Sequence, residues 1–167
     1  MDIKIPFYQI LNILLVGIAF ACGIVFLFPE TVHASVAELK RGIPRSGTLV
    51  PVLFLAISYE AGLVLNRVGS VCLEPLLKNM KLLRFCQNYK TFALRQGTDQ
   101  SIHILSREYA SSRTRMVLYG VLGVLSFFGR YWPLGFCGIA LSVLFFYSCR
   151  KHSSRIVEVV EREEEEI

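Results

Sequence analysis

Residues Ile10–Phe28 read "ILNILLVGIAFACGIVFLF" and determine the class of fold, because this run contains no charged residue. Its length of about 19 residues is what an α-helix needs to cross the hydrocarbon core of a bilayer. A charged start before an apolar core could also mark a signal peptide, but this run is long and further apolar blocks follow it. We therefore expect an uncleaved first transmembrane helix.

Three further apolar blocks lie along the chain of 167 residues, which is 53% hydrophobic. Soluble domains average about 45–50% apolar residues, and here the excess is concentrated in the blocks Thr48–Leu65, Met116–Phe128 and Trp132–Cys149. Flanking residues at both ends complete the short Met116 block. We predict an all-α membrane protein with four transmembrane helices, in which residues 1–149 form the transmembrane domain and residues 150–167 a charged cytoplasmic tail.

Lysine and arginine residues indicate the orientation of these spans. Fourteen of the 18 lie in the N-terminus, the long connection between the second and third spans, and the tail. Because basic residues are enriched on the cytoplasmic side, we predict that both termini are cytoplasmic. The same rule explains the basic long connection, so we do not expect direct nucleic-acid binding. Contact with anionic membrane lipids is expected instead.

The cytoplasmic connection, residues 67–115, is expected to be helical rather than a loose loop. From Glu74 to Gln96 apolar residues recur at helical spacing with basic residues on another side, which predicts an amphipathic helix. A second helix is predicted to run into the third span, so that helical extensions of spans two and three pack as an antiparallel pair or lie flat on the membrane. Contacts with lipid or a partner are predicted at Lys78, Lys81, Arg84, Lys90 and Arg95.

The tail changes sign along its length, from basic residues near the membrane to six glutamates. Ile156 and Val160 keep a narrow apolar stripe. We predict that the acidic end docks on the basic connection, and the alternative is a solvated end, as charge blocks usually are. The residues predicted to dock are Glu158, Glu161, Glu163 and Glu164.

The second span contains one carboxylate, Glu60, at a depth where a charged side chain costs roughly 2.5–3.5 kcal/mol. In a regular α-helix Arg67 and Glu74 lie on the same stripe as Glu60. Tyr59 and Asn66 form a parallel stripe beside it. Glu60 and Arg67 are two turns apart, about 10.5 Å of rise, so Glu60 is expected to meet another helix or subunit. We predict that these five residues form an intramembrane polar site that is either an interface or part of a pore.

Three roles for Glu60 follow from this position. It fixes an oligomer through hydrogen bonds, it lines a pore or a proton path, or it is catalytic, and the last has no accompanying nucleophile or metal set. A shifted span would instead leave Glu60 at the membrane interface.

Small residues predict close helix packing in two spans. In the third span the predicted face contains Gly120, Gly123 and Ser126. In the first span it contains Gly17, Ala19 and Ala21.

No residue pattern points to catalysis. The five cysteines form no C-x-x-C pair and no cluster with the three histidines, so neither a disulfide framework nor a zinc site is indicated. Phosphate-binding, metalloprotease and serine-hydrolase motifs are absent from the sequence. We expect no catalytic residue, no metal and no cofactor, and a protein that is not an enzyme.

Two families share the predicted architecture. Four spans with a membrane glutamate resemble the small multidrug-resistance exporters, but those are shorter and carry the glutamate in the first span, which is uncharged here. Four spans with a cytoplasmic connection between the second and third also resemble connexin-type channel subunits, whose extracellular cysteines this chain lacks. Such likeness concerns architecture alone.

The function expected from these features is that of a homo-oligomeric sensor or scaffold subunit in a bacterial inner membrane. It would bind a soluble cytoplasmic protein, as the membrane component of an anti-phage defence system does. The alternative is a channel-forming or holin-like effector that depolarises the membrane, and a small proton-coupled exporter is the third reading. A neighbouring gene for a soluble nuclease or nucleotide sensor would favour the first.

Overall fold

The computed structural model describes residues 7–42, 49–83 and 100–165. These residues are 94% helical and contain no strand, which confirms the all-α prediction. Three helices are long and apolar enough to cross a membrane, namely Phe7–Leu27, Leu49–Asn79 and Trp132–Glu161. The described part of the protein is therefore all-helical, with three candidate transmembrane helices.

The first apolar run forms helix α1 (Phe7–Leu27), and helix α2 (Pro29–Gly42) follows it at once. Pro29 occupies the first position of α2, where a backbone N–H is not needed for helix hydrogen bonding. The end of α1 at Leu27 agrees within one residue with the end of the first apolar run at Phe28. Most described side chains of α2 are exposed.

The second apolar block forms helix α3 (Leu49–Val68), which continues through a π turn (Gly69–Leu73) into helix α4 (Glu74–Asn79). The backbone N–H of Glu74 donates to the carbonyl of Gly69, five residues earlier. Pro75 has no N–H, and in a regular α-helix its ring would clash with the carbonyl four residues before it. A wider turn avoids that clash, and it rotates the residues after it relative to α3.

Helix α4 ends at Asn79, so the predicted amphipathic helix Glu74–Gln96 is wrong in its length. Lys81 adopts the left-handed conformation with φ 54°. The N–H groups of Lys81 and Leu82 donate to carbonyls of the last helical turn at 3.0 and 3.1 Å. This pair of bonds is a Schellman motif, which usually has glycine at the left-handed position. Residues 84–96 lie outside the described residues.

Helices α5 (Gln100–Phe128) and α6 (Trp132–Glu165) form a long antiparallel hairpin. A second Schellman motif closes α5, with Arg130 at φ 61° in the left-handed position. Helix α6 continues without a break past Cys149, so the described part of the charged tail is the end of the same helix. Helix α5 is not among the three candidate transmembrane helices, because its first half is polar.

Glycines allow α5 and α6 to pack closely. A Cβ atom added to Gly138 would lie 2.7 Å from the Cα atom of Gly123. Nearby, the hydroxyl of Ser142 donates to the carbonyl of Met116 at 3.0 Å. The small-residue face predicted in the third span is thus confirmed, and its partner is α6.

A second close approach joins α1 to α3. A Cβ atom added to Gly17 would collide with the backbone carbonyl of Ser58 and lie 3.0 Å from the backbone nitrogen of Gly62. A Cβ atom on Gly62 would in turn meet the backbone of Ile13. The predicted use of Gly17 in packing is confirmed, whereas Ala19 is exposed. Such contacts hold membrane helices together by van der Waals packing.

Candidate functional site: a polar layer and cavity between three helices

The predicted stripe of the second span does not stay together in the structure. Glu60 and Arg67 are both exposed on the outer face of α3. Two neighbouring apolar side chains, Ile57 and Val64, are 60% and 59% exposed. Tyr59 is half-buried. The carboxylate of Glu60 therefore lies on a largely apolar surface and not inside the packed chain.

Glu74 faces a different direction from Glu60 because the π turn separates them. Its carboxylate accepts a hydrogen bond from the guanidinium of Arg113 on α5 and forms an ion pair with it. The Arg113 side chain is only 11% exposed and that of Glu74 is 32% exposed. Removing Glu74 would leave a nearly buried cation without its partner, a situation that typically costs about 1–3 kcal/mol or more. This pair holds α4 against α5.

Tyr109 completes this contact, because the Arg113 guanidinium lies 5.7 Å from the centre of its ring. Burial raises the pKa of Tyr109 above its ordinary value, and the charge of Glu74 acts in the same direction. The phenol is therefore neutral at physiological pH. A neutral Tyr109 adds no negative charge, so Glu74 is the acidic partner of Arg113 within the described residues.

A layer of polar side chains, uncharged except for Arg115, joins α1, α3 and α5. The hydroxyl of Thr114 donates to the amide oxygen of Asn66 at 3.0 Å. The amide oxygen of Asn12 accepts from the hydroxyl of Ser111 and from the guanidinium of Arg115, both at 3.3 Å. Each bond satisfies a polar group in the interior of the bundle, where an unpaired one would be costly. The layer fixes which face of α5 meets α1 and α3.

A cavity of about 230 Å³ opens beside this polar layer. Most of the described residues that line it have polar side chains, and they include one arginine, one histidine and no carboxylate. The apolar contributions come from Ile13 and Ala110. The polar lining residues come from α1, α3 and α5, and they are Tyr8, Gln9, Asn12, Asn66, His103, Ser106, Arg107, Ser111 and Thr114.

Arg107 is the cationic residue of the cavity. Its guanidinium carbon stacks over the ring of Tyr8 at 4.4 Å from the centroid. The Nε–H group is buried and has no hydrogen-bond partner among the described residues. Stacking on the tyrosine holds the guanidinium plane in one orientation. A charged donor is thus held in place beside the cavity without an acceptor.

The residues predicted to contact lipid or a partner are only partly described. Lys78 and Lys81 are exposed, on α4 and just beyond it. Arg84, Lys90 and Arg95 lie outside the described residues. The prediction that these basic residues lie on one side of a single helix is wrong for Lys81, because α4 ends before it.

The tail packs through its apolar residues. Ile156, Val157 and Val160 are buried, and α6 makes its contacts with α5. On α5, Ile102 is completely buried. Of the glutamates predicted to dock, Glu158 and Glu161 are exposed. Glu163 and Glu164 lie in the last turn of α6, and docking by these glutamates stays a prediction.

Of the residues predicted for the polar site, Asn66 is the one that lines the cavity, and sequence reasoning missed the rest of it. Asn12 was a further visible signal, since it is the only polar amide in the first apolar run. Arg107, Ser111 and Thr114 belong to a stretch predicted simply as a helical extension. Nothing in their local spacing shows that α1 covers them.

Comparison with known proteins gives no relative. No family model, no curated protein and no solved structure matches this chain. Within the described ranges, no three His, Cys, Asp or Glu side chains are grouped so that they could hold a metal ion.

Proposed function

We propose that this chain is the subunit of an oligomeric sensor or scaffold of a bacterial inner membrane. In this proposal the chain crosses the membrane four times and both termini are cytoplasmic. The beginning of α5 and the end of α6 bind a soluble protein partner. The membrane part of a defence system against phage is the setting that fits such a subunit. The reasons come from helix lengths, packing and the position of Glu60.

Helix lengths support the four spans. At 1.5 Å per residue, the 29 residues of α5 measure about 43 Å and the 34 residues of α6 about 51 Å. A hydrocarbon core of about 30 Å is shorter than either. Because α5 lies antiparallel along the apolar part of α6, a membrane crossed by α6 would be crossed by the second half of α5 as well.

The excess length forms what we call the stalk, residues 100–111 of α5 and 150–165 of α6. This is the observation that carries the proposal. The stalk has a packed interior, with Ile102, Ile156 and Val160 buried. Its outer surface is charged, with Arg150, Arg155 and Glu161 exposed among others. A packed, charged projection beyond the membrane is suited to binding another protein.

Charge reversal at the end of the stalk tests partner binding. A variant with Glu161, Glu163 and Glu164 changed to lysine should retain at least tenfold less of the soluble partner than the wild type, because charge complementarity to that partner is lost. The measurement is affinity purification from cross-linked membranes through an N-terminal tag, with quantitative mass spectrometry.

A variant with Glu30→Lys and Glu38→Lys in α2 is the matched control, and it should retain the partner. Recovery of the same soluble protein in equal amounts from all three proteins would contradict binding at the stalk. Recovery of no soluble protein with the wild type would contradict the proposal as a whole.

Glu60 supports assembly into an oligomer. A carboxylate facing lipid would cost roughly 2.5–3.5 kcal/mol, and the face of a neighbouring subunit would remove it from lipid. Homo-oligomers usually have closed symmetry, most often that of a two-fold dimer. The same exposed pair, Glu60 and Arg67, also favours the second candidate function, a pore lined by these residues between subunits.

Substitutions at Glu60 separate the two functions. In the scaffold, Glu60→Leu should shift the purified protein from oligomer to monomer, since the hydrogen-bonding group is lost, while Glu60→Gln and the control Val64→Leu should remain oligomeric. Native mass spectrometry gives the subunit number. Wild-type protein in liposomes should pass no potassium.

A potassium flux in the wild type that Glu60→Gln abolishes would contradict the scaffold and favour the pore. An oligomer that Glu60→Leu leaves intact would remove Glu60 from the interface.

A further inference from the structure

We propose that the cavity between α1, α3 and α5 is a binding site for an oxyanion, specifically the phosphate group of a phosphate-containing ligand. This inference rests on the geometry of the cavity and is independent of the partner proposed for the stalk. Either one stands if the other fails.

The charges around the cavity favour an anion. Among the described residues, Arg107 lines it and no carboxylate does. The nearest paired arginine, Arg113, is neutralised by Glu74, whereas Arg115 approaches the cavity wall through its bond to Asn12. Unbalanced positive charge in a partly enclosed space attracts anions strongly because the low-dielectric walls weaken screening.

Several of the hydrogen-bonding groups left over in the cavity are donors. The amide oxygen of Asn12 already accepts two bonds from α5 and that of Asn66 accepts one, while the NH₂ group of each amide remains as a donor. The buried Nε–H of Arg107 has no acceptor in the part of the chain that the structure describes. A buried charged donor is among the most costly groups to leave unpaired. A ligand rich in acceptor oxygens completes this set.

Phosphate matches both the space and the donors. About 230 Å³ is several times the volume of roughly 30 Å³ that one water molecule takes in the liquid. An arginine held flat on Tyr8 presents the planar group that recognises phosphate oxygens well.

The cavity also lies at the height of lipid headgroups in the proposed topology. Tyr8 and Asn12 belong to the first turns of α1, and Asn66 lies near the end of α3. Both ends are cytoplasmic in that arrangement. The phosphate could come from an anionic phospholipid or from a soluble molecule, and the two sources share the chemistry that this cavity recognises.

Binding can be measured directly on the full-length protein purified in a zwitterionic detergent. In one arm, native mass spectrometry records retention of phosphatidylglycerol and of phosphatidylcholine. In the other, thermal unfolding records stabilisation by millimolar inorganic phosphate against chloride at equal ionic strength. We expect Arg107→Gln to lower anion retention or stabilisation at least tenfold, and Arg130→Gln, at an exposed arginine in the far turn, to leave it unchanged.

A second variant keeps the test decisive if Arg107→Gln folds poorly. Asn12→Asp places a carboxylate in the cavity beside Arg115, and it should also abolish anion binding while the helices still pack. Retention of phosphatidylglycerol alone would assign a lipid as the ligand, and stabilisation by inorganic phosphate would assign a soluble one. Absence of both in the wild type, or equal losses in Arg107→Gln and Arg130→Gln, would overturn the site.

Discussion

Gly17→Ala is expected to lower the free energy of unfolding by roughly 3 kcal/mol, the upper end of the usual range for overpacking. The added methyl group would meet the carbonyl of Ser58, which is backbone and cannot move aside as a side chain does. Ser58 itself is completely buried. The two helices must separate, and the packing around Gly62 is then lost. Unfolding in mixed detergent micelles measures this change.

Gly23→Ala is the matched control on the same helix. There the added Cβ would lie 2.7 Å from a methyl group of Leu122, the flexible end of a side chain. We expect a loss of about 1 kcal/mol or less, at the lower end of the same range. Equal losses at Gly17 and Gly23 would show that α1 and α3 do not cross as closely as the structure has them.

The helical architecture was largely predictable because it depends on local properties. Runs such as Ile10–Phe28 are uncharged and of spanning length, so hydropathy locates them. The packing face at Gly120 and Gly123 was predictable for a related reason, since small residues at helical spacing permit close approach of any neighbour. The sequence does not indicate which helix packs against this face, and in the structure that helix is α6.

The prediction of a single polar stripe on the second span was wrong for a geometric reason. Glu60, Arg67 and Glu74 share one face only if the helix is regular throughout. The π turn before Pro75 changes the phase, so Glu74 reaches Arg113 while Glu60 stays on the outside. Pro75 is visible in the sequence as an irregularity, but proline equally well ends or kinks a helix.

The cavity could not be predicted, because its parts are distant in the chain. The bond between Asn12 and Ser111 joins residues 99 positions apart. That of Arg115 to Asn12 spans 103 positions. Only the packing of α1 against α5 brings them together, and no local pattern records it. The end of α4 could not be predicted either, because Lys81 occupies the left-handed position where glycine usually marks the end of a helix.

Side-specific labelling should give an all-or-none result for the proposed topology. In a chain whose native cysteines are replaced, Arg130→Cys lies in the turn between α5 and α6, and Glu161→Cys lies on the stalk. Four spans with cytoplasmic termini place position 130 outside and position 161 inside. A membrane-impermeant maleimide is the reagent, applied to intact spheroplasts and to lysed ones.

Lysed spheroplasts are the control, because both positions are exposed and should react there. In intact spheroplasts, Arg130→Cys should be labelled to completion and Glu161→Cys should remain unlabelled. If α5 does not cross the membrane, the pattern reverses: position 161 is labelled in intact spheroplasts and position 130 is protected. That reversed pattern would contradict a cytoplasmic stalk and, with it, the binding of a cytoplasmic partner.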